Sequence, residues 1–213
     1  MRQQITFFGQ TQLQSHDLKA TASLWSKWHF SVLIAATLAS HCLLGRQLPA
    51  ALDHVAVYPS VEGYTQRLHF AHSGVPVAAS SPFEQFSPLL DAHLTPIINA
   101  LVTLSGVSPR VYWSNAGTYF EYFTQRFATH PDVDSKRLSD ASALLHQPQR
   151  PDGQRNPLYQ PLSPGRKGCR QRRLCCLCYR IPALGYCDNC PIACTRRQVK
   201  PLKQSTPMQG MGV

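Results

Sequence analysis

Apolar residues recur at helical spacing from Leu18 to Leu44, at Leu18, Ala22, Trp25, Trp28, Val32, Ala36, Ala39 and Leu43, with neither glycine nor proline before Gly45. That periodicity predicts one long helix or two in succession, stopped by Gly45 and Pro49. Leu52 to Tyr58 and Tyr64 to Ala71 alternate in part, with Val55, Val57, Leu68 and Phe70 on one side and Pro59, Ser60 and Gly63 between the runs, which predicts a β-hairpin. Ser81-Pro82-Phe83-Glu84 has the form of a capping box, with proline at the first helical position and glutamate three residues after the cap. The helix it starts carries Leu89, Leu90, Leu94, Ile97, Ile98, Leu101 and Leu104 to a stop at Gly106, and Pro88 and Pro96 predict a kink or a division into shorter helices. Ser108-Pro109 repeats the start signal ahead of Val111 to Phe127, an aromatic helix with Trp113, Tyr119, Phe120, Tyr122, Phe123 and Phe127.

After residue 127 the pattern weakens. A short helix is predicted from Ser139 to Leu145, and Pro148, Pro151, Pro157, Pro161 and Pro164 then mark residues 147–168 as a linker. The fold class expected is mainly α with a small β-hairpin. It comprises a helical domain over residues 1–146, the proline-rich linker 147–168, a cysteine-rich segment 169–195 and a basic, disordered tail 196–213. The polar opening, Met1 to His16, shows no secretory pattern. The most apolar run, Phe30 to Leu44, falls short of the ~20 residues a membrane span needs and reads as a core helix. Both features imply the cytoplasm, where thiols stay reduced.

Charge changes the picture because it is unevenly placed. Residues 1–165 carry eleven Lys and Arg against ten Asp and Glu, whereas residues 166–213 carry ten against Asp188 alone. Such a patch attracts an anionic partner, be it substrate, acidic redox protein, phospholipid surface or nucleic acid.

The same region holds seven of the eight cysteines, at Cys169, Cys175, Cys176, Cys178, Cys187, Cys190 and Cys194. A disulfide framework suits short secreted chains with small cores, and this chain is neither. The central spacing is Cys175-Cys176-x10-Cys187-x2-Cys190. Two residues between Cys187 and Cys190 let both thiolates converge on one centre. Adjacent cysteines in extended chain point to opposite sides, so Cys175 and Cys176 need a local bend to ligate jointly, and the pair suits a two-iron cluster better than one tetrahedral zinc. Arg170, Arg172, Arg173, Arg180, Arg196 and Arg197 surround the thiols, and positive charge there favours thiolate and the reduced cluster.

The run Arg172-Arg173-Leu174-Cys175-Cys176-Leu177-Cys178-Tyr179-Arg180-Ile181-Pro182, followed by Tyr186-Cys187-Asp188-Asn189-Cys190-Pro191, resembles the C-terminal motif of the FhuF-type ferric siderophore reductases. Trp25 to Pro49, the hairpin and Trp113-Ser114-Asn115-Ala116 are similar to that family's helical region. The resemblance implies a [2Fe-2S] cluster on Cys175, Cys176, Cys187 and Cys190. It implies one-electron reduction of siderophore-bound Fe(III), and a protein of the cytoplasm that at times sits on the inner membrane face. An electron donor such as a ferredoxin or a flavin-dependent reductase belongs to the same picture. Cys178 stands where the family motif has an aromatic residue, which leaves ligation through Cys178 or Cys194 open.

Outer-sphere transfer to iron needs no general acid or base, so the lack of a catalytic triad is no objection. The cleft between the helical domain and the cysteine tail is the expected docking place, with Trp113, Asn115 and Tyr119 as candidate contacts. The rival from another class is a nucleic-acid-binding module stabilised by a four-cysteine zinc site, which the basic tail favours and the adjacent cysteine pair does not. A plain electron carrier would explain the cysteines but leave the first 165 residues without a task.

Overall fold

The computed structural model describes residues 1–165 and 170–195. Mainly α with small antiparallel β-ribbons is what it shows. The chain opens with α1 (Arg2–Gln12), where the sequence pattern announced no helix. Only Ile5 and Phe8, both fully buried, anchor it, so it is held by packing against its neighbour rather than by an amphipathic stripe. Then comes α2 (Leu18–Leu44), unbroken over 27 residues. Asp17 caps its start by accepting the Ala20 N–H at 3.1 Å, and Gly45 ends it in the left-handed conformation at φ 62°. The positive φ is what favours glycine at position 45, since the nearest atoms to a Cβ there belong to the movable end of the Arg137 side chain.

After β1 (Arg46–Gln47), the predicted hairpin forms as β2 (Val55–Pro59) and β3 (Thr65–Phe70), antiparallel with Val55 opposite Phe70. β4 (Val75–Pro76) returns to pair with β1. The capping box is present in full: the Ser81 hydroxyl accepts the Glu84 N–H at 3.3 Å, and the Glu84 carboxylate accepts the Ser81 N–H at 2.8 Å. Beyond it the run divides as its prolines foretell, into α3 (Pro82–Gln85), α4 (Ser87–Leu89), a π-helical turn (Leu90–Leu94) and α5 (Thr95–Ser105). α6 (Pro109–Phe127) packs along α2, and these two helices carry the core. α7 (Ser135–His146) begins four residues before its predicted start, because Asp134 caps it by accepting the Arg137 N–H at 3.0 Å.

Under the hairpin lies a pair of buried histidines, His29 on α2 and His93 in the π-helical turn, with their Nε2 atoms 3.0 Å apart. His93 Nδ1 donates to the Ala50 carbonyl at 2.8 Å, so its Nε2 accepts from His29, and His29 Nδ1 in turn accepts the Thr65 hydroxyl at 2.9 Å. Burial, then the neighbouring His93, pulls the His29 pKa from 6.5 down to about 3. Between those values the unfolded chain binds the proton and the folded chain does not. Stability is therefore complete above the unfolded value and is lost as pH falls toward the folded one. Urea unfolding from pH 7 to pH 4 is expected to show the loss of about 3 kcal/mol, and His29→Gln to flatten that slope.

Proline-rich residues 147–165 lie on the helical domain. Asn156 is buried, donating from Nδ2 to the Leu144 and Gln147 carbonyls at 2.6 and 2.8 Å, and Leu158 joins the main core. Gly117 makes room for this segment on α6, since a Cβ there would meet the Pro161 ring at 2.8 Å. β5 (Leu162–Pro164) pairs with β6 (Arg170–Arg172), and the chain then runs through a 3-10 turn (Cys178–Arg180) to α8 (Pro191–Thr195). Cys176, Cys178 and Ile181 belong to the same apolar cluster as α2 and α6. The basic tail 196–213 lies outside the described residues.

Candidate metal centre

The bend that adjacent cysteines require is present. Leu177 takes the left-handed conformation at φ 64°, unusual for a branched residue, and its N–H donates to Cys175 Sγ at 3.3 Å. The chain thereby folds back on itself directly after Cys175 and Cys176. The second cysteine pair sits on a tight turn closed by the Cys190 N–H to the Cys187 carbonyl at 3.0 Å.

These two turns bring the sulfurs together. Cys176 Sγ and Cys187 Sγ stand 3.5 Å apart, close to the ~3.7 Å that two thiolates share on one tetrahedral ion with ~2.3 Å bonds. Cys175 and Cys190 flank this contact in sequence, and Cys178, two residues beyond Cys176, is buried with it. The Cys176 thiol is held far below the ordinary range, first by hydrogen bonds from Cys178 and Cys187 and then by the charges of Lys27 and Arg172. Cys178 and Cys187 are pushed up, chiefly because each donates to Cys176, and Cys175 is raised chiefly by burial. Among the described residues no three Cys, His, Asp or Glu side chains stand close enough to hold a single ion. The two halves of the motif meet at the sulfur–sulfur contact of Cys176 with Cys187, and the chemistry of the donor set, thiols alone, is that of an iron-sulfur or zinc site. Cys169 and the Cys194 side chain lie outside the described residues. The eighth thiol, Cys42, is a core residue of α2 whose pKa burial pushes up to about 12.

A buried polar network fixes this segment to the helices. Asn115 on α6 is fully buried, and its amide nitrogen lies 3.0 Å from the Ser23 carbonyl, 3.1 Å from Ser23 Oγ and 2.9 Å from Ser26 Oγ. Its oxygen accepts from Arg172, a residue only 3% exposed. Ser23 Oγ donates to the Cys176 carbonyl at 2.8 Å. Cys176 is thus held by α2, and α2 by α6, through one set of hydrogen bonds. At the rim Arg180 donates to Asp17 at 2.6 Å and Arg170 pairs with Glu121.

Of the arginines flagged in the sequence, Arg170 and Arg180 are therefore neutralised and Arg172 is internal. Arg173 lies over the Tyr159 ring, 5.8 Å from its centroid, and Arg196 and Arg197 lie outside the described residues. Asn115 cannot serve as the substrate contact expected of it, because its amide is consumed in the core. Trp113 and Tyr119 line different openings. Trp113 shares one of about 240 Å³ with Arg110, Arg155, Tyr159 and Arg173. Tyr119 shares another, of about 330 Å³, with Lys27, Tyr122, Phe123 and Cys187. The second reaches a cysteine of the centre.

Lys27 was not singled out by the sequence pattern, nor were Ser23 and Ser26. One signal was available: Ser26 and Lys27 follow Ser23 by three and four residues, so the three share one face of α2.

A family model described as "Ferric iron reductase FhuF-like transporter" matches residues 23–168. The match covers α2 through the proline-rich segment and stops short of the cysteines, so it is independent of the motif they form. The "Ferric siderophore reductase" of Escherichia coli (strain K12) is 23% identical over 183 residues, 82% of this chain. The chain spans 66% of the length of that relative. No helix among the described residues is long and apolar enough to cross a membrane.

Proposed function

We propose that this chain, which belongs to the ferric iron reductase FhuF-like family, is a ferric siderophore reductase that delivers one electron at a time to siderophore-bound Fe(III) and so releases iron in the cytoplasm. The observation that carries the reading is the contact of Cys176 with Cys187, which brings the two halves of the cysteine motif together against α2, a helix that the family model matches. The name of the Escherichia coli relative supports the substrate.

The four cysteines would hold a [2Fe-2S] cluster, which supplies a one-electron carrier. Around it, Ser23 and Asn115 fix the position of Cys176, and the left-handed Leu177 supplies the bend that joint ligation by the adjacent thiols requires. A ferric complex reaching the opening beside Cys187 meets Tyr119, Tyr122 and Phe123 along one wall. Hard oxygen donors hold Fe(III) well and Fe(II) poorly, so a single electron weakens the chelate and lets the metal leave. No proton need move at the iron. The electron would come from a ferredoxin or a flavin-dependent reductase, and contact with the inner membrane face would be peripheral.

The nucleic-acid reading finds less support: of the described arginines of the tail Arg170 and Arg180 are ion-paired and Arg172 is buried, which leaves Arg173 to meet a phosphate.

The test is to purify the full chain without oxygen, reduce it and mix it with a ferric siderophore under a ferrous-iron trap. A red-brown protein with matching iron and sulfide that yields trapped Fe(II) is expected. A loaded, reduced protein that yields none overturns the reductase reading, and a colourless, salt-sensitive nucleic-acid binder replaces it with the rival.

A further inference from the structure

We propose that Lys27 and Arg172 are the built-in counter-charges of the cysteine centre and set the ratio of its reduced to oxidised forms. This rests on reading that centre as a four-thiolate iron-sulfur site.

Most of the cations without a carboxylate partner among the described residues are exposed, and Arg46 donates to the Ser73 and Gly74 carbonyls. Arg172 and Lys27 lack such a partner and are also withdrawn from solvent. Arg172 is buried, yet its guanidinium meets only neutral acceptors, the Asn115 and Ser114 side chains and the Leu174 carbonyl. Lys27 is half-buried, and among the described residues its ammonium has no hydrogen bond and no carboxylate partner. Burying a charge without its opposite is costly, and a sequence keeps such a charge only where something nearby compensates it. Both side chains line one opening with Cys187, whose sulfur is 3.5 Å from that of Cys176; Asp188 lines it too but is exposed to solvent.

Neutral thiols compensate nothing. Four thiolates around a two-iron core leave two net negative charges when oxidised and three when reduced. Two cations therefore balance the oxidised centre and attract the electron that reduces it. Their placement differs in kind. Arg172 lies on β6 immediately before the ligands and is locked by Asn115, whereas Lys27 comes from α2 and reaches the rim beside Cys187. Arg172 is accordingly a positioning residue as well as a charge, and Lys27 has no bond to lose other than its electrostatics.

That difference makes Lys27 the cleaner probe. The full chain, purified without oxygen, is titrated with a reductant against redox dyes while its visible absorption is followed. Lys27→Met is expected to lower the reduced-to-oxidised ratio at fixed applied potential about tenfold, a 59 mV fall for one electron, with iron and sulfide content unchanged. Lys27→Arg should restore the wild-type ratio. Arg172→Lys should keep most of the charge effect while losing bonds to Asn115, and Lys136→Gln, paired on the surface with Asp140, should change nothing. A loaded Lys27→Met protein with the wild-type ratio overturns the proposal and leaves the reductase reading standing. A wild-type protein without iron and sulfide overturns the reading beneath both.

Discussion

Asn115→Leu is expected to destabilise the fold by about 3–5 kcal/mol, measured by urea unfolding. Leucine fills the same space, so the loss is not one of packing. It comes from the groups left behind. The Ser23 and Ser26 hydroxyls lose a donor, and the buried Arg172 guanidinium loses the acceptor that holds it. Arg172 has only donors, which fixes the amide oxygen of Asn115 toward it and the amide nitrogen toward α2. A double substitution makes the attribution sharp. If the cost is the stranded charge, Asn115→Leu with Arg172→Met should be more stable than Asn115→Leu alone, because the unpaired cation goes with it. Additive losses would show that the two side chains do not act as a pair.

The second large effect concerns the thiols. Cys176→Ser should abolish the red-brown colour and lower Fe(II) release by more than about a hundredfold, since a hydroxyl is a poor ligand for iron where a thiolate was and metal binding in such a segment is also folding energy. Cys176 is the choice because it contacts Cys187 at 3.5 Å and its carbonyl is held by Ser23. Cys178→Ser is the companion experiment. The family resemblance puts the cluster on Cys175, Cys176, Cys187 and Cys190 and leaves Cys178 out, so its loss should leave iron and sulfide content at wild-type levels. Loss of iron from the Cys178 variant, with retention in the Cys187 variant, would reassign the ligand set.

Both predictions depend on contacts that span the chain. Ser23 and Cys176 are 153 residues apart, Asn115 and Ser23 are 92, and Arg172 and Asn115 are 57. No period or spacing announces them. Trp113-Ser114-Asn115-Ala116 did stand out in the sequence, but the burial of Asn115 turned an expected surface contact into an internal hinge of the structure.

What the sequence determined by itself is what neighbours along the chain decide. The long α2, its glycine stop, the hairpin, the capping box at Ser81 and the aromatic α6 all follow from residues within a few positions of one another, where periodicity and capping act. The cysteine spacing belongs to the same class, because a tight turn needs only local chain. Tertiary structure alone decided the rest. α1 is a helix because Ile5 and Phe8 find a surface to bury against, and residues around Asn156 and Leu158 are fixed on the helical domain despite their prolines. Above all, folding withdrew two ordinary basic residues, Lys27 and Arg172, from solvent and set them in one opening with Cys187. A charge is legible in a sequence, but its desolvation and its partner are properties of three-dimensional packing.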